Sequence, residues 1–183
     1  MTFDDGPGPE TSRILDQLGA AGAAATFFLV GSRIPSRGGL VARIAAEGHE
    51  VGSHSWSHSR PGRGRLAVGA ELLRTSFAIW RAAGAFPRCF RAPYAKSTPG
   101  LVRAARLLRM RTIGWDVDPR DWEIDDPAEV VERVLRSARP GSVVVLHEGA
   151  GAGSTVDALP SLLQNLRAQG LTTVTVSELL AGT

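Results

Sequence analysis

A chain of 183 residues, 43% hydrophobic and 21% charged, has the apolar content of one packed domain, which argues against a disordered chain. The formal net charge is only +3 although the pI is about 9.9. The basic residues, all Arg except Lys96, are dispersed, and no basic run interleaved with aromatics marks a nucleic-acid surface. Cys89 is the only cysteine, which excludes an internal disulfide, and no apolar window is long enough for a membrane-spanning segment.

In chain order, β-rich apolar runs alternate with segments of helical period. Thr2-Phe3-Asp4-Asp5 reads as a strand closed by a turn at Gly6-Pro7. Further strands are predicted at Ala25–Val30, His49–Ser53, Arg88–Arg91, Thr112–Trp115, Ser142–Leu146 and Thr172–Val176. Between them, apolar residues recur on one helical face: Ile14, Leu15 and Leu18, then Leu40, Val41 and Ile44, then Leu72, Leu73, Phe77 and Trp80. Leu101, Ala104, Ala105 and Leu108 follow, then Val130, Val131, Val134 and Leu135, and last Leu159, Leu162, Leu163 and Leu166. Asp126-Pro127 has the form of a helix start, and Gly22, Gly48, Gly84 and Gly170 stand where helices end. No linker or repeat divides the chain, so one domain over 1–183 is expected. Repeated strand–helix units imply a mainly parallel sheet, and both a barrel and an open doubly wound sheet fit.

The chemically capable residues fall just past predicted strand ends. Asp4 and Asp5 end the first strand; His54 and His58 follow the third; Arg91 and Tyr94 follow the fourth; Asp116, Asp118 and Asp121 follow the fifth; and His147 follows the sixth. In parallel α/β folds those ends share one face, where active sites lie. His54 and His58, four residues apart, would share one side of a helical turn and with a carboxylate form a two-His, one-carboxylate metal site. A non-haem iron oxygenase uses the same ligand types but places a carboxylate two residues after the first His, where this chain has Trp56. A hydrolytic metal is preferred. Of Asp4 and Asp5, one suffices as ligand, leaving the other as a base toward water; an Asx turn accounts for one of them but poorly for both. His147 reads either as a satisfied strand-end histidine or as a general acid held by Asp121. Arg91 pairs with the base, as a structural ion pair or as its orienting group.

The chain is similar over essentially its whole length to the polysaccharide deacetylases, the NodB-homology domain of carbohydrate esterase family 4. Five motifs in the family's order carry the resemblance: Thr2 to Pro7 (TFDDGP), His54 to His58 (HSWSH), Arg91 to Tyr94 (RAPY), Asp116 to Trp122 (DVDPRDW) and Leu146-His147. The resemblance implies an α/β fold, a distorted (β/α) barrel of about seven parallel strands, and a divalent metal, usually zinc, with cobalt among the alternatives. It makes Asp5, His54 and His58 metal ligands, Asp4 the catalytic base, Arg91 its orienting group and His147 the general acid tuned by Asp121. The Tyr94 backbone N–H would assist an oxyanion, and Trp122 and Leu146 would wall a pocket for the acetyl methyl. The implied partner is an acetylated glycan, with peptidoglycan or chitin-type N-acetyl groups ahead of the O-acetyl groups of xylan.

The chain departs from the family pattern at Ala92 (often Pro), Ala95 (often Gly) and Glu148 (usually Asp). Only Met1 precedes the TFDDG motif, so a shortened first strand is expected, from a clipped start or from a longer secreted parent. An extracellular or cell-envelope location is the corresponding expectation. A non-catalytic glycan-binding module of the same fold is the rival class, and it should lack the base or the acid, both of which are present. A related amidohydrolase acting on a small amide would lack the complete motif set. Two arginine clusters, Arg60, Arg63 and Arg65, and Arg103, Arg106, Arg109 and Arg111, read as solvated faces, with an anionic surface as the alternative. The basic stretch from Ser59 to Arg65 reads similarly, as a solvated loop or the border of an anionic glycan. The sequence specifies no oligomeric state.

Overall fold

A computed structural model describes residues 1–59, 65–149 and 151–182. Among them, six strands form one sheet: β1 (Thr2–Gly6), β2 (Thr26–Leu29), β3 (Glu50–Ser53), β4 (Cys89–Phe90), β5 (Arg111–Thr112) and β6 (Val145–His147). Their order is β5-β4-β3-β2-β1-β6, and every pairing is parallel. Seven helices accompany them: α1 (Thr11–Ala21), α2 (Gly38–Ala46), α3 (Arg65–Ala83), α4 (Pro99–Leu107), α5 (Pro127–Ser137), α6 (Gly153–Ala168) and α7 (Val176–Ala181).

The sheet curls without closing, and chain connectivity shows why. Val117 bridges Val144 on the outer side of β6, while β5 ends at Thr112 on the opposite edge. Laid flat, that set of ribs would span roughly 29 Å at about 4.8 Å per rib. The five residue steps from Thr112 to Val117 reach at most about 18 Å. The two edges are therefore drawn toward each other, and the strand ends converge.

Strand alternation sorts side chains into two environments. Phe3 faces the helices, stacks on Phe27 at 5.1 Å, and joins Ile14, Leu15, Leu18, Leu146, Leu159 and Leu162 in the main core. Thr2 and Asp4 face the inside of the curl, where both accept hydrogen bonds from the fully buried Arg91.

The helix signals hold locally. The Asp126 side chain accepts from the Ala128 N–H, and Pro127 opens α5. Gly22, Gly48, Gly84 and Gly170 all take the left-handed conformation past their helices. Two strand expectations are corrected. Residues 172–176 form no strand, because Thr175 starts α7 with a capping box to Glu178 and the Val176 N–H is taken by Thr26 Oγ1. Among the described residues six strands, not about seven, make the sheet. The first strand is not short within it either: β1 spans five residues and is paired on both sides, with β2 and β6.

Candidate active site

Five segments meet at the carboxyl ends of the strands around a cleft of about 740 Å³. Asp4 and His147 are directly opposed on β1 and β6. Asp4 is 3% exposed, and its Oδ1 accepts from Arg91 Nη1 at 2.8 Å. Arg91 is fixed further by the carbonyls of Gly114 (3.0 Å) and Ile113 (3.4 Å) and lies 4.2 Å above the Phe28 ring. The other Asp4 oxygen, Oδ2, stands 3.8 Å from His54 Nε2.

Asp5 turns the other way. Its φ of +74° breaks the strand alternation, so both carboxylates reach the cleft. Asp5 Oδ1 lies 3.0 Å from His58 Nε2 and 3.5 Å from His54 Nε2. The ligand atoms of Asp5, His54 and His58 all lie within 4.8 Å of one another. His54 Nδ1 is 2.9 Å from the Arg91 carbonyl, which can only accept; the proton belongs on Nδ1 and the Nε2 lone pair faces the group. Asp5 Oδ1 is buried and lacks a well-aligned hydrogen-bond donor. An orphaned carboxylate oxygen beside two imidazoles is the donor set of a divalent cation, and the three residues fit one. Burial would raise the Asp5 carboxyl, but the close His58 ring and the charge of the other surrounding imidazoles hold it at about 2. Burial keeps His54 below the ordinary histidine range, favouring the neutral ring that a metal requires.

The two histidines do not sit on a helical turn, as their spacing suggests. They lie in a loop in which Ser55 and His58 both take positive φ. Glu71 of α3 holds that loop, accepting from the backbone N–H groups of Trp56 (3.0 Å) and Ser57 (2.9 Å) and from the Ser57 hydroxyl. One Glu on a helix face carries no signal of this role in sequence.

His147 is the opposite wall. Its Nδ1 is 2.8 Å from Asp121 Oδ1, while Asp121 Oδ2 accepts from the His147 backbone N–H (2.7 Å) and the Thr155 hydroxyl (2.6 Å). Burial alone would lower its pKa. The Asp121 hydrogen bond and charge, with those of Asp4 and Asp5 beyond, overcome burial and raise it to about 9. This raised pKa favours the imidazolium form, in which the Nε2–H is the proton not engaged by Asp121.

Tyr94, at φ +57°, lines the cleft with its ring 4.8 Å from that of His58, and the half-exposed Trp122 flanks it under Arg120. Leu146 is placed elsewhere: it is fully buried in the main core, because it pairs with Phe3 and shares its face. Asp118 is at the cleft, closing a turn onto the Arg120 N–H, but Asp116 is drawn to the Val143 N–H and Ser142 and takes no part.

Three further residues enter: Arg33 and Thr155, which motif reading did not select, and Glu148, which it noted only as a departure from the family pattern. Arg33 donates to the Asp5 carbonyl and lines the cleft. Thr155 anchors Asp121. Glu148 is fully buried against Gly6 and bonded to the Thr11 hydroxyl; burial pushes its carboxyl up to about 8. The basic stretch after His58 lies, apart from Ser59 and the backbone of Arg65, outside the described residues.

The polysaccharide deacetylase family model matches residues 1–113. The chain is 35% identical, over 98% of its length, to the peptidoglycan-N-acetylglucosamine deacetylase PgdA of Listeria monocytogenes, and spans 38% of that relative's length. It is 37% identical, over 93% of its length and 84% of the relative's, to a chitooligosaccharide deacetylase of Bradyrhizobium sp.. The solved structure of the Bacillus subtilis peptidoglycan deacetylase PdaC matches with a TM-score of 0.90 at 34% identity, covering 98% of this chain and 88% of that one. A carbohydrate esterase family 4 pseudoenzyme from Bacillus anthracis matches with a TM-score of 0.91 at 30% identity, over 98% and 63%.

Proposed function

The chain belongs to the polysaccharide deacetylase family, and on that premise we propose that it is a metal-dependent hydrolase removing N-acetyl groups from a glycan of peptidoglycan or chitin type. Residues 1–183 act as one domain in this reading, and such a substrate puts its work in the cell envelope or outside the cell. Because the fold extends to a pseudoenzyme, the fold alone does not carry the reading. The carrying observation is an intact base and acid on opposed residues of neighbouring strands, Asp4 held by Arg91 and His147 held by Asp121, flanking the Asp5, His54 and His58 cluster.

Asp5, His54 and His58 would hold the cation, which we read as zinc; when bound, it supplies Lewis acidity toward a carbonyl and toward water. The residues do the rest. Asp4 Oδ2, left unengaged by Arg91, takes the proton of the attacking water. The Tyr94 backbone N–H would donate to the oxyanion that develops on the acetyl carbonyl oxygen. His147 Nε2 then gives its proton to the departing amine, while Asp121 keeps the ring oriented and charged. Trp122 covers one side of the acetyl group.

Acetate release from N-acetylglucosamine oligomers, compared between EDTA-treated and zinc-restored protein, tests this. Zinc-dependent release is expected. Folded, zinc-binding protein that releases no acetate from these oligomers, from peptidoglycan or from acetylated xylan would replace the reading with that of a glycan-binding module.

A further inference from the structure

At the end of the sheet where the strands begin, opposite the catalytic cleft, lies a second cleft of about 720 Å³. Arg88 before β4, Arg109 after α4 and Arg111 opening β5 line it. All three are exposed, and among the described residues none forms an ion pair and no Asp or Glu lines the cleft. The carboxylates of the adjoining cleft hold hydrogen bonds of their own, Glu50 with Thr26, Cys89 and Ser177, and Glu178 with Thr175. Three unpaired guanidiniums at one opening attract an anion.

Backbone conformation adds an independent argument. Helices α1, α2 and α6 close with the same pair of hydrogen bonds around a left-handed residue, which is Gly22, Gly48 and Gly170 respectively. Helix α4 closes identically, with the Arg109 N–H to Arg106 and the Met110 N–H to Ala105, yet the left-handed residue is Arg109 at φ +57°. A side chain there is less stable than glycine. Its position is unfavourable for the fold and brings a third guanidinium to the cleft.

One wall of this cleft carries an aromatic ring that continues onto the surface beside it. Phe86 lines it and stacks on Trp80, with centroids 5.7 Å apart and planes 7° from parallel. Phe86 is 54% exposed and Trp80 45%, a contiguous apolar step on the surface. A ring face suits the C–H face of a pyranose, and a guanidinium suits a carboxylate in bidentate geometry.

We propose that this cleft is a second, non-catalytic glycan site that takes a carboxylate-bearing sugar chain. The carboxylates pair with Arg88, Arg109 and Arg111, and a sugar ring packs on the Phe86–Trp80 step.

Calorimetric titration with hexagalacturonate, chitohexaose and inorganic phosphate tests it. Hexagalacturonate carries no acetyl group, so its binding is independent of deacetylation. The protein is expected to bind it with an affinity that falls as salt rises. Arg109→Gly should weaken that binding roughly tenfold or more, yet raise Tm by roughly 2–4 °C by relieving the left-handed side chain. Phe86→Ala should weaken hexagalacturonate and leave phosphate unchanged. Acetate release from chitohexaose should stay at the unsubstituted level in both variants. Absence of hexagalacturonate binding, or unchanged binding in Arg109→Gly, overturns the proposal. So does a fall in Tm for Arg109→Gly, which would make Arg109 a structural residue. Phosphate binding as tight as hexagalacturonate and indifferent to Phe86 would make the cleft a simple anion site and overturn the glycan assignment.

Discussion

A carboxylate can take a proton from water only through an oxygen that is not already engaged. Arg91 occupies Asp4 Oδ1 and leaves Oδ2 toward the histidines, whereas Asp5 reverses direction at φ +74° and offers its oxygen to both imidazoles. Asp4→Asn keeps the shape and removes the base. A loss of roughly 10²–10⁴ in kcat is expected, with cation affinity retained. Because Arg91 would lose its buried counter-charge, Tm should also fall, at a cost of about 3–5 kcal/mol; kcat must therefore be measured where both proteins are folded. Near-normal turnover would remove Asp4 from its role. His147 supplies the pH test. Its folded-state pKa, about 9, lies above the ordinary histidine value, so the acid form is complete below that value and lost as pH rises through about 9. The basic limb of kcat/KM should fall there, or lower when the added charge of a bound cation pushes the imidazolium down. In Asp121→Asn the limb should shift further toward the ordinary histidine range. An unmoved limb would assign it to another group. Stability follows the same sign: the His147–Asp121 contribution is whole below the unfolded pKa and fades as pH rises through about 9.

At the scale of elements, the loop that carries His54 and His58 is held in shape by a helix, α3. Two left-handed residues make the loop compact enough for the ring centroids of His54 and His58 to lie 5.0 Å apart, and Glu71 of α3 absorbs the backbone N–H groups this exposes. Glu71→Ala should reduce zinc affinity by roughly 10–100-fold, as loss of outer-shell support does, while the secondary structure seen by circular dichroism is retained. Isothermal titration with zinc reads this directly; unchanged affinity would mean that the loop holds its shape without the helix. Glu148 is the second such support. Buried against Gly6, it fills the space under the turn that follows Asp5, where an alanine Cβ at residue 6 would lie 1.6 Å from its Oε1.

For the whole molecule, the curl of the sheet brings the five polar segments together, and the cation group joins β1 to the loop after β3. A ligand that binds only this arrangement stabilises the folded state. Zinc at about a hundred times its Kd should add about 2.7 kcal/mol, or roughly 5–11 °C in Tm at this size. The shift should vanish in His54→Ala. A zinc-induced shift that persists in that variant would locate the binding elsewhere.

The sequence by itself determined the set of chemically capable residues and the alternation of elements. Two adjacent carboxylates, an HxxxH pair, an Arg and a strand-end His are residue types with few common uses, and caps such as Asp126-Pro127 act within a few residues of chain. It also placed the candidate site residues just past strand ends, because a parallel sheet puts those ends on one face. Only the tertiary structure decided the rest. The last expected strand became a helix cap because Thr26, distant in sequence, takes the Val176 N–H. Leu146 went to the core because its pairing with Phe3 set which face it shares. Arg33, Glu71, Glu148 and Thr155 became parts of the site through partners 28 to 137 or more residues away, or across a helix-to-loop contact, and no local pattern encodes such distances. Local propensities act over one turn of chain, whereas the site is held by hydrogen bonds between segments that meet only once the sheet has curled.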